Sequence, residues 1–192
     1  VSETTEGETF RKADWYAEEL IGRTYQNCTF LEVDLTEATN RGCVFNECHF
    51  GNVRFNASRH ADCAFTSCTF NRCNFFDAEL ENCKLIGSTF AESAVRPMRV
   101  LGGDWSFVGL SGADLRRTSF QRVRLREADL TGANCADALF GEVDLSGAQL
   151  HGCKFTGSDL SALDPHHAEL TGAMITPEQA VQLAVAMGLT VG

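Results

Sequence analysis

Apolar residues return at every fifth position from Phe10 to Ile175, a period that matches neither an α-helix, about 3.6, nor a β-strand, about 2. Of the 34 positions in this frame only Asn40, His60 and Pro165 fall outside the apolar set, and the frame holds 12 of the 14 phenylalanines. The position two residues earlier is equally restricted. From Cys28 onward it carries almost only small or apolar residues, whereas Glu8, Glu18 and Arg23 break the rule near the start. A period this long and this constant is the signature of a solenoid, in which each unit buries its apolar face against its neighbours.

The geometry of one unit follows from the pentad. Two inward residues flanking one outward residue, as at Ala113 and Leu115, make a very short extended segment, so the other two residues must turn the chain. Ten of the 17 glycines fall two places after the central residue, where a type II turn needs a positive φ. Four such bends close a square coil of about 20 residues, and successive coils stack at roughly 4.8 Å. About eight and a half coils give a rod near 40 Å long. The expected core includes Phe30, Phe45, Phe50, Phe55, Phe65, Phe70, Phe75, Phe90, Leu115, Phe120, Leu125 and Leu130.

The frame leaves no place for a second globular domain in 192 residues. The expected organisation is an N-terminal extension or irregular first coil over 1–24, the solenoid over 25–175, and a helix with a tail over 176–192. The last segment leaves the five-residue period. Thr176 suits an N-cap, Pro177 the first helical position, Glu178 the positive end, and Gly188 the stop. This helix is apolar around most of its circumference, so one face is expected to cap the rod and another, with Ala180, Leu183, Ala184, Met187, Leu189 and Val191, to meet a second copy, a cap without a dimer being the alternative.

Nine cysteines raise the alternatives of a disulfide framework or a metal site. Eight of them (Cys28, Cys43, Cys48, Cys63, Cys68, Cys73, Cys83 and Cys153) occupy the small position of the pentad, and no C-x-x-C pair occurs. Reduced packing thiols are therefore expected, with no metal site and no cofactor. No Ser/His/Asp or paired-carboxylate arrangement stands apart from the repeat, so a non-enzymatic protein is expected. The polar, acidic start and the lack of a long apolar run lead to the expectation of a cytoplasmic chain without a membrane segment.

The net charge of −10 argues against direct nucleic-acid binding, since phosphates would be repelled. Its distribution is uneven. From Glu127 to the C terminus nine acids (Glu127, Asp129, Asp137, Glu142, Asp144, Asp159, Asp164, Glu169 and Glu178) face one base, Lys154, whereas residues 96–126 carry seven arginines against Asp104 and Asp114.

The units "ADLRR", "ADLTG", "VDLSG" and "SDLSA" resemble the A(D/N)LXX repeats of the pentapeptide-repeat proteins. That resemblance implies an all-β, right-handed quadrilateral β-helix. The "RPMRVLGGD" stretch around Pro97, the unbroken frame and the ending "ITPEQAVQLAVAMGLTVG" make the chain most similar to the mycobacterial MfpA-like quinolone-resistance branch of the family; the Qnr resistance proteins are similar but usually carry loop insertions that break the frame, so a loop-based contact is not expected here. This likeness implies a homodimer joined at the C-terminal ends and a DNA-mimicking protein that binds DNA gyrase, with the acids from Glu127 to Glu169 as the contact surface. A scaffold module with another protein partner is the alternative that the same repeats allow.

Overall fold

The computed structural model describes residues 4–192. The five-residue frame becomes a four-sided parallel β-solenoid in which strand and bridge residues pair with those 20 positions later. One side is a four-stranded sheet, Thr4–Glu6, Thr24–Gln26, Val44–Asn46 and Ala64–Thr66. The next has five strands from Thr9–Arg11 to Thr89–Ala91, and a third has seven from Glu19–Ile21 to Leu139–Gly141. The fourth side is held by single bridges such as Asp14 to Asp34 and Arg54 to Asn74. Backbone bonds of 2.7 to 3.3 Å join successive coils, as Thr29 N to the Glu8 carbonyl and Asp34 N to the Ala13 carbonyl. The ladder runs through residue 24 without a break, so residues 4–24 form the first coil in register with the second.

Every core residue named from the sequence is buried. Aromatic rings stack along the rod at the coil spacing, with centroids 4.7 Å apart for Phe30 and Phe50 and again for Phe45 and Phe65. Toward the C terminus leucines replace most of the rings, as Leu110, Leu115, Leu125, Leu130 and Leu150, all fully buried.

The corners refine the glycine argument. The ten frame glycines do have positive φ, between 59° and 77°, but 20 non-glycine residues at equivalent corners share the conformation. Among them are Asn27, Glu32, Arg72, Phe107, Arg117 and Glu142. The left-handed geometry is thus set by stacking, and glycine merely makes it easier to adopt. In the early coils one side bends through a hydrogen-bonded turn, as Ala38 N to the Leu35 carbonyl at 3.1 Å, and from Ser88 onward other sides do so too, as Ala113 N to the Leu110 carbonyl at 3.0 Å.

All nine cysteines are free and buried. The small position does more than save space, because its side chain donates to the carbonyl 23 residues earlier: Cys43 Sγ to Leu20 at 3.2 Å, Cys153 Sγ to Leu130 at 2.8 Å, and Ser88 Oγ to Phe65 at 2.7 Å. Burial pushes the Cys73 thiol up to about 12, so it stays a protonated donor.

The last coil loosens. Leu145 N and Gly147 N, whose equivalents Leu125 and Glu127 bond to the next coil, have no such partner among the described residues, and a groove of about 570 Å³ opens between Val143–Gly147 and 162–168. Pro165 sits in this stretch, where no further strand needs its missing N–H. Helix α1, Pro177–Ala186, then covers the end. Thr176 and Gln179 form a capping box, and Gln179 Nε2 donates to the Phe155 and Ser158 carbonyls at 2.6 and 2.8 Å. A side-chain amide therefore supplies the donor that another coil would have brought, since Glu79 N bonds the Ser58 carbonyl at the equivalent position of an inner coil.

Candidate interaction surface

The acidic residues fall into two structural kinds. Asp129, Asp144, Asp159 and Asp164 precede a central residue, and each turns an oxygen back to the N–H two residues on: Thr131 at 2.9 Å, Ser146 at 3.1 Å, Ser161 at 2.9 Å and His166 at 2.9 Å. The aspartate of the repeat is thus an Asx-turn residue with one oxygen committed to the bend. Asp144 also pairs with Arg126, and Asp164 with His167 Nδ1 at 2.7 Å. The Ser146 bonds, with Arg126, hold the Asp144 carboxyl below its usual range, and His167 does the same for Asp164.

Glu127, Asp137 and Glu142 are different. They stand at left-handed corners, φ 52°, 58° and 52°, exposed and with no side-chain hydrogen bond or ion pair among the described residues. Glu169 is likewise exposed on a face. The acids predicted from sequence therefore wrap several sides and corners of the C-terminal coils and do not line one face. Formal charge alone does not separate the two kinds, although the aspartate of the turn is recognisable in "ADLTG" and "VDLSG".

The arginine band is largely neutralised. Asp114 holds both Arg96 and Arg116, the latter through two bonds of 2.8 Å, and these guanidiniums lower its carboxyl to about 2. Arg99 pairs with Glu79, Arg124 with Asp104 and Arg126 with Asp144. Only Arg117 and Arg122 in the band lack an ion pair among the described residues. The surface consequently changes from mostly paired charge at mid-rod to mostly unpaired acids toward the C-terminal end.

That end also carries the exposed apolar surface. Met187, Leu189 and Val191 are exposed, as is Ala180, while Leu183 and Ala184 are half-buried and Leu183 packs on the solenoid core. Val181 and Val185, four residues apart on one helix face, are exposed by 45% and 58% and were missed from sequence because the helix is apolar on nearly every side. Among the described residues no group of three or more His, Cys, Asp or Glu is arranged to hold a metal ion, and no helix is long and apolar enough to cross a membrane.

Comparison with known proteins places this geometry. No curated protein sequence matches the chain. A family model described as SV2A/B/C luminal domain matches residues 8–95. In solved structures the chain is similar to a trypsin-treated form of QnrB1, described as a plasmid-mediated fluoroquinolone resistance protein, at 20% identity and TM-score 0.58, covering 100% of this chain and 98% of that one. Full-length QnrB1 matches at 18% identity and TM-score 0.50, over 97% of this chain and 100% of that one. The model described as Pentapeptide repeat region matches residues 73–150, and that described as Pentapeptide repeats matches 144–176 with eight copies. With the 20-residue register, the four-sided coil and these two overlapping matches, which together span residues 73–176, the chain belongs to the pentapeptide-repeat proteins.

Proposed function

We propose that the chain is a DNA-mimicking protein that binds DNA gyrase, competes with one of its DNA segments and protects the enzyme from fluoroquinolones. The observation that carries this reading is the mostly unpaired acidic surface toward the C-terminal end of the rod: nine acids and one lysine from Glu127 onward, a formal charge of −8, with Asp144 and Asp164 alone among those acids held by Arg126 and His167 among the described residues. A protein that grips duplex DNA through a basic groove meets here a rod of similar form and charge sign. The fold likeness to QnrB1, a fluoroquinolone resistance protein, supports the choice of partner. The rod acts by occupancy alone, without chemistry of its own, and works in the cytoplasm beside the chromosome.

In this reading two copies join through α1. Val181, Val185, Met187, Leu189 and Val191 form the self-complementary surface, which brings the two acidic segments together as one rod of about 80 Å. The test is a supercoiling and drug-induced cleavage assay with bacterial gyrase. Added protein is expected to slow supercoiling and to lower the quinolone-stabilised cleavage product. Supercoiling and cleavage that are indifferent to a large molar excess of the protein would exclude gyrase as the target. Dependence on ATP separates the two segments, because a mimic of the transported segment stimulates ATP-driven clamp closure whereas a mimic of the gate segment binds the cleavage core without nucleotide.

A further inference from the structure

The last coil departs from the others at two successive corners. The corner residues from Gly22 to Glu142, taken every 20 positions, all have positive φ, between 52° and 68°, and so do those from Gly7 to Gly147, between 52° and 70°. Ala162 and His167, next in these two columns, do not. Here the chain bends through other hydrogen-bonded turns, Leu163 N to the Leu160 carbonyl at 2.9 Å and His167 N to the Asp164 carbonyl at 3.1 Å. Asp164-Pro165-His166-His167 suits a type I turn, with Asp at the first position and Pro, whose φ is fixed, at the second. The Asp164 carboxylate secures it, accepting from His166 N at 2.9 Å and pairing with His167 Nδ1 at 2.7 Å.

This turn competes with the ladder for the same backbone groups. Leu125 N and Glu127 N bond the carbonyls of Asp144 and Ser146, so Leu145 N and Gly147 N would bond those of Asp164 and His166. His167 N has taken the Asp164 carbonyl. The N–H groups of Glu142, Asp159 and Asp164 likewise make no backbone bond to the facing coil among the described residues, although those of Arg122, Leu139 and Asp144 do. The other flank stays closed: Gly152 N bonds the Thr171 carbonyl at 3.0 Å and Phe155 N that of Met174 at 2.8 Å. Residues 159–168 are therefore hinged on a laddered flank, with the groove of about 570 Å³ between them and Val143–Gly147. Charge also opposes closure. A laddered Asp164 would stand one coil spacing from Asp144 in the same column, and like charges directly opposite are destabilising.

We infer that residues 159–168 are a two-state strap, which either closes in register on the coil before it or is held open by the Asp164–His167 turn acting as a latch. Closing lets five N–H groups (Glu142, Leu145, Gly147, Asp159 and Asp164) find their ladder partners. It gives up both turn bonds and both Asp164 contacts, and it takes Ala162 and His167 into the left-handed region that glycine adopts most easily. Each side of this balance is a few hydrogen bonds, so neither state dominates by a wide margin. The consequence falls on the acidic surface. Glu142 stands on the fixed side of the groove and Asp159 and Asp164 on the strap, so the spacing of these carboxylates changes with the state. A partner that contacts both sides shifts the balance by the difference in its affinity for the two states. The inference does not depend on which partner that is.

The test restores the regular pentad with Pro165→Leu and His167→Gly, which brings "LDPHH" over 163–167 close to the "VDLSG" of the preceding coil. Amide hydrogen exchange read by NMR follows each N–H. In the parent, Glu142, Leu145 and Gly147 should exchange at least about 100-fold faster than Arg122, Leu125 and Glu127. In the variant, Leu145 and Gly147 should slow at least about 10-fold, with residues 122–127 unchanged. His167→Gly alone, which keeps Pro165, covers a loss of folding in the double variant, read by circular dichroism, and should slow the same two amides at least about 3-fold. The inference is overturned if the parent amides exchange as slowly as their inner-coil counterparts, or if a folded variant leaves them unchanged. Unfolding of both variants would overturn it too, because the closed coil would then not be a stable state.

Discussion

At the scale of single residues, the instructive positions are those that break the frame and still fold into it. Asn40 and His60 replace apolar residues in one column between Leu20 and Leu80, and both are buried. They survive because they satisfy each other: Asn40 Nδ2 donates to His60 Nδ1 at 2.9 Å, His60 Nε2–H donates to Ser58 Oγ at 2.9 Å, and Ser58 donates to the Phe55 carbonyl at 2.7 Å. This chain fixes the neutral tautomer, leaving Asn40 Oδ1 without a partner among the described residues. Burial lowers the His60 pKa to about 4. An unfolded histidine titrates near 6.5, so the unfolded state takes up the proton first. Stability is then intact above about pH 6.5 and falls as the pH drops toward 4, by up to about 3 kcal/mol. Urea melts across this range should show the decline, and its part between about pH 6.5 and 5, above the range in which carboxylates titrate, should vanish in the paired variant Asn40→Leu with His60→Leu. His60→Leu alone should destabilise at neutral pH by about 1–3 kcal/mol, because it leaves the Asn40 amide buried without its acceptor. A parent whose stability is flat from pH 6.5 to 4.5 would show that His60 is protonated within the fold. The sequence exposes both residues as exceptions, but their mutual bond depends on the 20-residue register and emerges only once the coil is closed.

At the scale of the pentad, the repeat separates carboxylates that hold turns from carboxylates that only carry charge. Asp129 accepts the Thr131 N–H, and its replacement by alanine should cost about 1 kcal/mol, the usual loss when a side-chain cap to a backbone N–H is removed. Glu127, two residues earlier, sits at a corner with φ 52° and no such bond. Glu127→Gly should therefore stabilise the rod by about 0.5–1 kcal/mol or leave it unchanged, as glycine adopts this φ without the Cβ penalty. Thermal melts should show a loss for Asp129→Ala and no loss for Glu127→Gly; equal losses would show that the corner glutamate has a partner in solution. Much of this scale was legible beforehand. The frame, the square coil and the buried list follow from period and residue size alone. The division of the acids was not, because formal charge is the same in both kinds and only the turn geometry tells them apart. The helix shows a similar limit: its cap residues are readable from Thr176 to Glu178, but an almost wholly apolar sequence does not reveal which face docks, and Leu183 proves to rest on the molecule's own core.

At the scale of the whole molecule, shape and charge act together, and the two kinds of acid decide how the proposed mechanism is tested. Reversing Asp144, Asp159 or Asp164 would remove turn bonds as well as charge, so a loss of binding there would not distinguish a damaged rod from a lost contact. Reversal to lysine at Glu127, Asp137, Glu142 and Glu169 changes the formal charge of the segment from −8 to about zero while sparing every hydrogen bond in the ladder. The reversed protein should melt within about 1 kcal/mol of the parent and yet bind gyrase at least about 10-fold more weakly, with most of the difference gone at high salt, where a Debye length near 3 Å screens exposed charges. The proposed dimer enters through geometry: Val181→Glu with Val185→Glu, which spares Leu183, should give a folded monomer by light scattering and halve the length of acidic surface that one enzyme can engage. If gyrase is the partner but mimicry is the wrong mechanism, the charge-reversed rod will protect the enzyme as well as the parent at low salt. If mimicry is right, the paired-valine variant and the corner reversals should each weaken protection, and combining them should add little, because both remove the same continuous acidic surface.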